Sequence, residues 1–131
     1  MSYERHHKHT YYLIRNGDIP GLADQERELV ARIARYHQRS PPELKHAGMA
    51  GLSASEARLV RKLATLLRVA NSLDRSHLQP IKELRAINGR DTVALHLKTR
   101  QPVDLELWTV EREMDLFRRV FGKRLQPHVG R

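Results

Sequence analysis

Cysteine is absent from this chain of 131 residues, so neither a disulfide nor a thiolate metal site is open to it. Aromatic residues are only 5% of the total, and the single Trp and the two Phe (Trp108, Phe117, Phe121) all fall near the C-terminus. A platform that stacks the bases of a single strand needs exposed aromatics beside basic residues, which this distribution disfavours. No apolar run approaches the roughly 20 residues of a membrane span. Met1-Ser2-Tyr3-Glu4-Arg5 leads into histidines and not into the apolar stretch of a signal peptide. Phosphate-cradling glycine loops are missing too, since neither GxGxxG nor GxxxxGK followed by Ser or Thr occurs. These absences lead us to expect a soluble cytoplasmic protein without membrane contact.

Positive charge is what the chain has in surplus. Against 15 acidic residues stand 24 Lys and Arg, giving a net charge of +9. An excess of that size concentrates polyanions near the surface: nucleic acid, polyphosphate, nucleotides or acidic lipid. Hydrophobic residues at 40% and charged residues at 30% describe an ordinary globular composition. The length suits one hydrophobic core.

Residues 3–15 read as a short helix stopped by Asn16-Gly17. Asp24 then offers an N-cap for a helix to about Gln38, with Leu29, Val30, Ile33 and Ala34 as its apolar stripe and Arg32, Arg35 and Arg39 opposite. Pro41-Pro42 ends it. Ser53-Ala54-Ser55-Glu56 has the form of a capping box and opens a long helix to about Ser76. On that helix Leu59, Leu63, Leu66, Leu67 and Ala70 are expected to face the core, and Arg58, Arg61, Lys62, Arg68 and Arg75 the solvent. After Pro80 the period shortens to two. Val93, Leu95 and Leu97 alternate, as do Val103, Leu105 and Leu107, and Asn88-Gly89 signals a hairpin with residues 81–87. Val110, Met114, Phe117 and Phe121 return to helical spacing, closed by Gly122. The expected fold is α+β: a mainly helical part over residues 1–79, then over 80–131 a small antiparallel β-meander and a C-terminal packing helix, the two packed as one domain.

Several of these segments carry side chains able to hold metal or phosphate. His6 and His9 lie three apart and share a helix face, so they could clasp one cation. His37 projects into the apolar stripe, where a hydrogen-bonded core histidine and a metal ligand are both open readings. Asp74 projects into the leucine face, where a carboxylate is costly unless it is paired or metal-bound.

The three stretches His6-His7-Lys8-His9-Thr10-Tyr11-Tyr12-Leu13-Ile14, Ile33-Ala34-Arg35-Tyr36-His37 and Leu66-Leu67-Arg68-Val69-Ala70-Asn71-Ser72-Leu73-Asp74-Arg75-Ser76-His77, in that order, resemble the C-terminal HD-like helical domain of the exopolyphosphatase/guanosine-pentaphosphate phosphatase family. The resemblance runs through nearly the whole chain. In the wider HD superfamily a histidine, an adjacent His-Asp pair and a distant aspartate hold the metal. No His-Asp dipeptide occurs here; the resemblance places it just upstream of His6, and Asn71 stands where the distant aspartate is expected. In that family two actin-like domains, N-terminal to this one, perform the hydrolysis. The resemblance therefore implies a non-catalytic accessory domain that helps bind polyphosphate or guanosine pentaphosphate for a parent enzyme, with a homodimer as a further expectation. Arg32, Arg35, Arg39, Arg58, Arg61, Lys62, Arg68 and Arg75 are the candidate phosphate contacts, because guanidinium forks match phosphate oxygens. The competing reading is a divergent HD phosphohydrolase using His9, His37 and Asp74 with a divalent metal such as Mg or Mn; otherwise no cofactor is expected. A sequence-independent nucleic-acid binder is the third alternative.

Overall fold

The structure, a computed structural model, describes residues 13, 21, 23–36 and 51–130. His6, His9, His37, Arg39 and most of the expected first helix and proline-rich loop lie outside the described residues. The elements are α1 (Asp24–Arg35), α2 (Ala54–Leu73), β1 (Ile81–Asn88), β2 (Thr92–Thr99), α3 (Asp104–Phe121) and β3 (Arg124–Gly130), an α+β fold. Two compact units divide the chain, Met1–Leu67 and Arg68–Arg131. Their division falls inside α2.

In the first unit, Asp24 and Glu26 occupy the first turn of α1 and Arg32 and Arg35 the last, which complements the helix dipole. The N-cap is Ala23, one residue before the expected Asp24; its N–H donates to Glu26 Oε1 at 3.1 Å. The helix closes at Tyr36, whose N–H reaches the Ile33 carbonyl. The capping box expected at the start of α2 is present in both directions. The Glu56 N–H donates to Ser53 Oγ at 3.2 Å, and the Ser53 N–H donates to Glu56 Oε1 at 3.1 Å. Gln25 Nε2 donates to Glu56 Oε2 at 2.9 Å, tying the first turns of the two helices together.

The buried cluster of this unit is Tyr36, Ala57, Val60 and Ala64, flanked by Leu29, Ile33 and Leu52. This corrects the expected orientation of α2. Leu59, Leu63, Leu66 and Leu67 are exposed, at 45%, 40%, 46% and 37%. Both rows of apolar residues repeat at helical spacing, so periodicity alone allows either to face inward. The row of small residues wins because it leaves room for the fully buried Tyr36 ring, which would clash with a row of leucines.

The second unit is built on a three-stranded sheet in the order β1-β2-β3. β1 and β2 form the expected hairpin, closed by the Gly89 N–H to the Thr92 carbonyl at 2.8 Å. The third strand is not where the alternation of Val103, Leu105 and Leu107 puts it. Those residues begin α3, where Leu107, Val110, Met114 and Phe117 make one helical face and Leu105 is exposed. The third strand follows that helix instead. β3 pairs with β2 in parallel, so the sheet is mixed and not a meander, and α3 is the crossover that a parallel pair requires. Val69 and Leu73 of α2, Leu95 and Leu97 of β2, Val110 and Phe117 of α3, and Leu125 of β3 form the core. Gly122 ends α3 in the left-handed conformation (φ 70°), as its position in the sequence predicts.

Candidate functional site

The expected cationic face divides once side chains are placed. On α1, Arg32 Nε pairs with Glu28 Oε1 at 2.7 Å, and Arg35 lies 5.9 Å from the centre of the Tyr36 ring. Burial pushes the Tyr36 hydroxyl above the ordinary tyrosine range, with Arg35 and Arg32 partly opposing it. On α2, Arg58 and Lys62 are exposed, one turn apart, and carry no ion pair among the described residues. Arg61 is half-buried. The exposed leucines flank them, so charge and apolar surface share one face of α2 instead of opposing each other.

Arg68 sits differently from its expected solvent face. Its side chain is 9% exposed, and it grips Glu113 of α3 through two bonds, Nε to Oε2 at 2.9 Å and Nη2 to Oε1 at 3.1 Å. A guanidinium committed to that bidentate pair is a structural tie and has no fork left for phosphate. Arg75 is exposed in the turn that follows α2.

Asp74 was expected to be a buried anchor, and it is not. α2 ends at Leu73, so the extrapolated helix phase stops one residue short of it. Its side chain is 49% exposed; Oδ1 accepts the Gln79 N–H at 3.2 Å, and Oδ2 lies 3.9 Å from His77 Nδ1. The buried carboxylate of this region is Glu106 in the first turn of α3, 3% exposed, which accepts the Ser76 N–H at 2.8 Å. Sequence reading missed it because it was assigned to a strand. For a metal centre, His9 and His37 lie outside the described residues, and among the described residues no three metal-capable side chains converge. Nothing in the placement of Asp74 favours a cation over the backbone amide it already holds.

One feature had no sequence signal beyond its residue types. His96 of β2 and His128 of β3 stand in register on the outer face of the sheet, their rings stacked with centres 5.1 Å apart. Parallel pairing brings them together, and the parallel strand was not foreseen.

The family model for Ppx/GppA phosphatase, domain III, matches residues 1–115, which end within α3. The chain belongs to the Ppx/GppA phosphatase family. It is similar to a guanosine-5'-triphosphate,3'-diphosphate pyrophosphatase from Pseudoalteromonas translucida (strain TAC 125), 26% identical over 93 residues, which are 71% of this chain and 18% of that relative. The match thus spans less than a fifth of the relative's length. Among the described residues no helix is long and apolar enough to cross a membrane.

Proposed function

We propose that the chain acts as an accessory domain of a phosphatase directed at guanosine pentaphosphate or polyphosphate, and that it holds the phosphate chain without cleaving it. The observation that carries the binding role is the pair Arg58 and Lys62, exposed one turn apart on α2 with no carboxylate against them among the described residues. Two uncompensated cations on one helix face attract a linear polyanion from a distance and cost nothing to strip of partners. The non-cleaving role rests on Asn71, a neutral side chain where the resembled HD pattern has an aspartate. The adjoining leucines give this face an apolar surface of the kind that docks on another part of an enzyme.

The test is a titration with long-chain polyphosphate at several salt concentrations, comparing the parent chain with Arg58→Gln/Lys62→Gln. For nucleic acids each neutralised phosphate contributes roughly 0.7–0.9 to the slope of log affinity against log salt; polyphosphate, at least as densely charged, should behave alike, so losing two cations should flatten it by about 1.5. Equal slopes and affinities would show the face to be merely solvated. Single-stranded RNA that competes as well as polyphosphate would assign the face to polyanions in general. Metal-dependent phosphate release by the chain, abolished in His37→Ala, would replace this reading with the HD phosphohydrolase.

A further inference from the structure

Two recesses adjoin beside the open end of the β1–β2 hairpin, and both are lined by Lys82 and Arg100. Local backbone structure puts the two cations there. Ile81 pairs with Thr99 and Glu83 with Lys98, so Lys82 is the extra residue of a β-bulge. A bulge re-aims the side chain it carries. Just past the end of β2, the Arg100 N–H donates to the Pro80 carbonyl at 2.8 Å, which holds Arg100 against the start of β1. The nearest acid in sequence, Glu83, is already engaged by Lys98 Nζ at 3.1 Å. Neither Lys82 nor Arg100 has an ion pair among the described residues.

The recesses differ in character. The first, about 590 Å³, adds Thr99 and Gln101 to the two cations and contains no carboxylate. The second, about 470 Å³, has apolar walls from Leu73, Pro80, Ile81 and Leu84. Asp74 and Gln79 supply its polar groups, and Asp74 keeps acceptor capacity beyond the one Gln79 amide it binds. The loop between these residues is held in an unusual conformation, with His77 at φ 60° and Gln79 at φ 50°. Non-glycine residues stay in that region only where their surroundings impose it, and such positions cluster at ligand sites.

We propose that the two recesses form one binding site for a nucleoside di- or triphosphate. The phosphates lie against Lys82 and Arg100, with Thr99 and Gln101 as neutral donors. The base and ribose enter the apolar recess, where Asp74 accepts from a ribose hydroxyl or a base amino group. Cations alone would take any phosphate chain; the adjoining apolar walls are what require an organic body, and each recess falls within the usual size of a ligand pocket, about 300–1,000 Å³. The site lies wholly within Arg68–Arg131 and shares no residue with Arg58 and Lys62, so it stands or falls independently of the polyphosphate reading.

Isothermal titration of the full chain with GTP, ATP, guanosine and inorganic tripolyphosphate tests it. The nucleotides should bind more tightly than tripolyphosphate, and guanosine weakly or not at all. Lys82→Gln/Arg100→Gln should weaken nucleotide binding at least about tenfold, the scale of one or two charge-assisted bonds. Arg118→Gln/Arg124→Gln removes the same charge from the last turn of α3 and the start of β3, outside both recesses, and should leave it unchanged. Ala70 also lines the apolar recess, so Ala70→Phe, which fills it, should weaken the nucleotides and spare tripolyphosphate. Should the double substitution unfold the chain, Lys82→Gln alone, at an exposed bulge, reads the same contact. In the Arg58→Gln/Lys62→Gln background, which removes the α2 cations, tripolyphosphate binding as tightly as GTP, equal losses in the two double variants, or no nucleotide binding at all would each overturn the proposal.

Discussion

Replacing Glu113 by glutamine puts the buried tie between α2 and α3 to a quantitative test. The substitution keeps the shape of the side chain and removes its charge, so position 113 offers the Arg68 guanidinium one neutral acceptor where it had offered two charged ones. Both partners are well shielded, at 9% and 15% exposure, so solvent cannot step in as it does for a surface pair. Removing one member of a buried pair typically costs about 3–5 kcal/mol, because the other charge stays desolvated without compensation. We take about 3 kcal/mol, since the glutamine retains one acceptor and the site is not completely closed. For a chain of this size each kcal/mol moves the melting temperature by roughly 4 °C, so Glu113→Gln should melt about 10 °C below the parent in thermal unfolding followed by circular dichroism. Replacing both partners, as Arg68→Met/Glu113→Leu, should recover most of that loss, because an apolar pair of similar volume carries no desolvation cost. The reasoning fails if Glu113→Gln melts within about 2 °C of the parent, a difference of roughly half a kcal/mol. It fails equally if the double variant melts lower than the single one.

The two faces of α2 should respond in opposite ways to changes in bulk. Ala64→Leu, at a fully buried position, should destabilise by about 1–3 kcal/mol through overpacking against the Tyr36 cluster, whereas Leu63→Ala, on the exposed row, should change the melting temperature little; the reverse order would restore the leucine-inward orientation. Glu56 gives a pH signature. Hydrogen bonds from the Gln25 side chain, then from Ser53, hold its carboxyl below the ordinary glutamate range. A depressed folded-state value means that its contribution is present above the ordinary carboxylate range and is lost as pH falls through the folded value. Glu56→Gln should accordingly melt below the parent at neutral pH, and the gap should close in acid; a gap independent of pH would contradict the assigned bonds.

Local chemistry in this sequence was easy to read, and spatial choice was not. Ser53 with Glu56, Asn88 with Gly89, and Gly122 each specify a backbone event within a few residues, and each is present in the structure. The inward face of α2 depends instead on which of two equally periodic rows fits a neighbour, and Tyr36 is 21 residues before the first of them. Residues 103–107 alternate apolar and polar over too short a window to separate strand from helix; Val110 and Met114, which continue the helical face, decide it. β3 was hidden by Pro127, a residue that argues against a central strand but is tolerated at a sheet edge. Of the candidate site, Arg58 and Lys62 are exposed as expected, though beside the leucines and not opposite them, while Arg68 and Asp74 depart from expectation: an arginine opposite a leucine stripe is exposed only if the stripe is buried, and a helix phase is meaningless one residue past the helix end. Lys82 and Arg100 gave no signal, because a bulge and a carbonyl contact bring them together.

The parallel strand also settles how alignment of the sheet is kept. β1 and β2 are joined by a short turn, which fixes their alignment directly. β3 arrives after an 18-residue helix, and no turn can set its place. Its alignment is measured instead along the short stretch from Gly122, which reverses the chain, through Arg124, whose N–H donates to the Asp91 carbonyl at 3.0 Å, to Leu125 in the core. Those four residues work as a ruler. Strand side chains alternate between faces, so a slip of one residue along that ruler would turn Leu125 out to water and drive Arg124 and Gln126 toward the core. The same slip would part His128 from His96, so the alignment that seats the core also composes the outer surface.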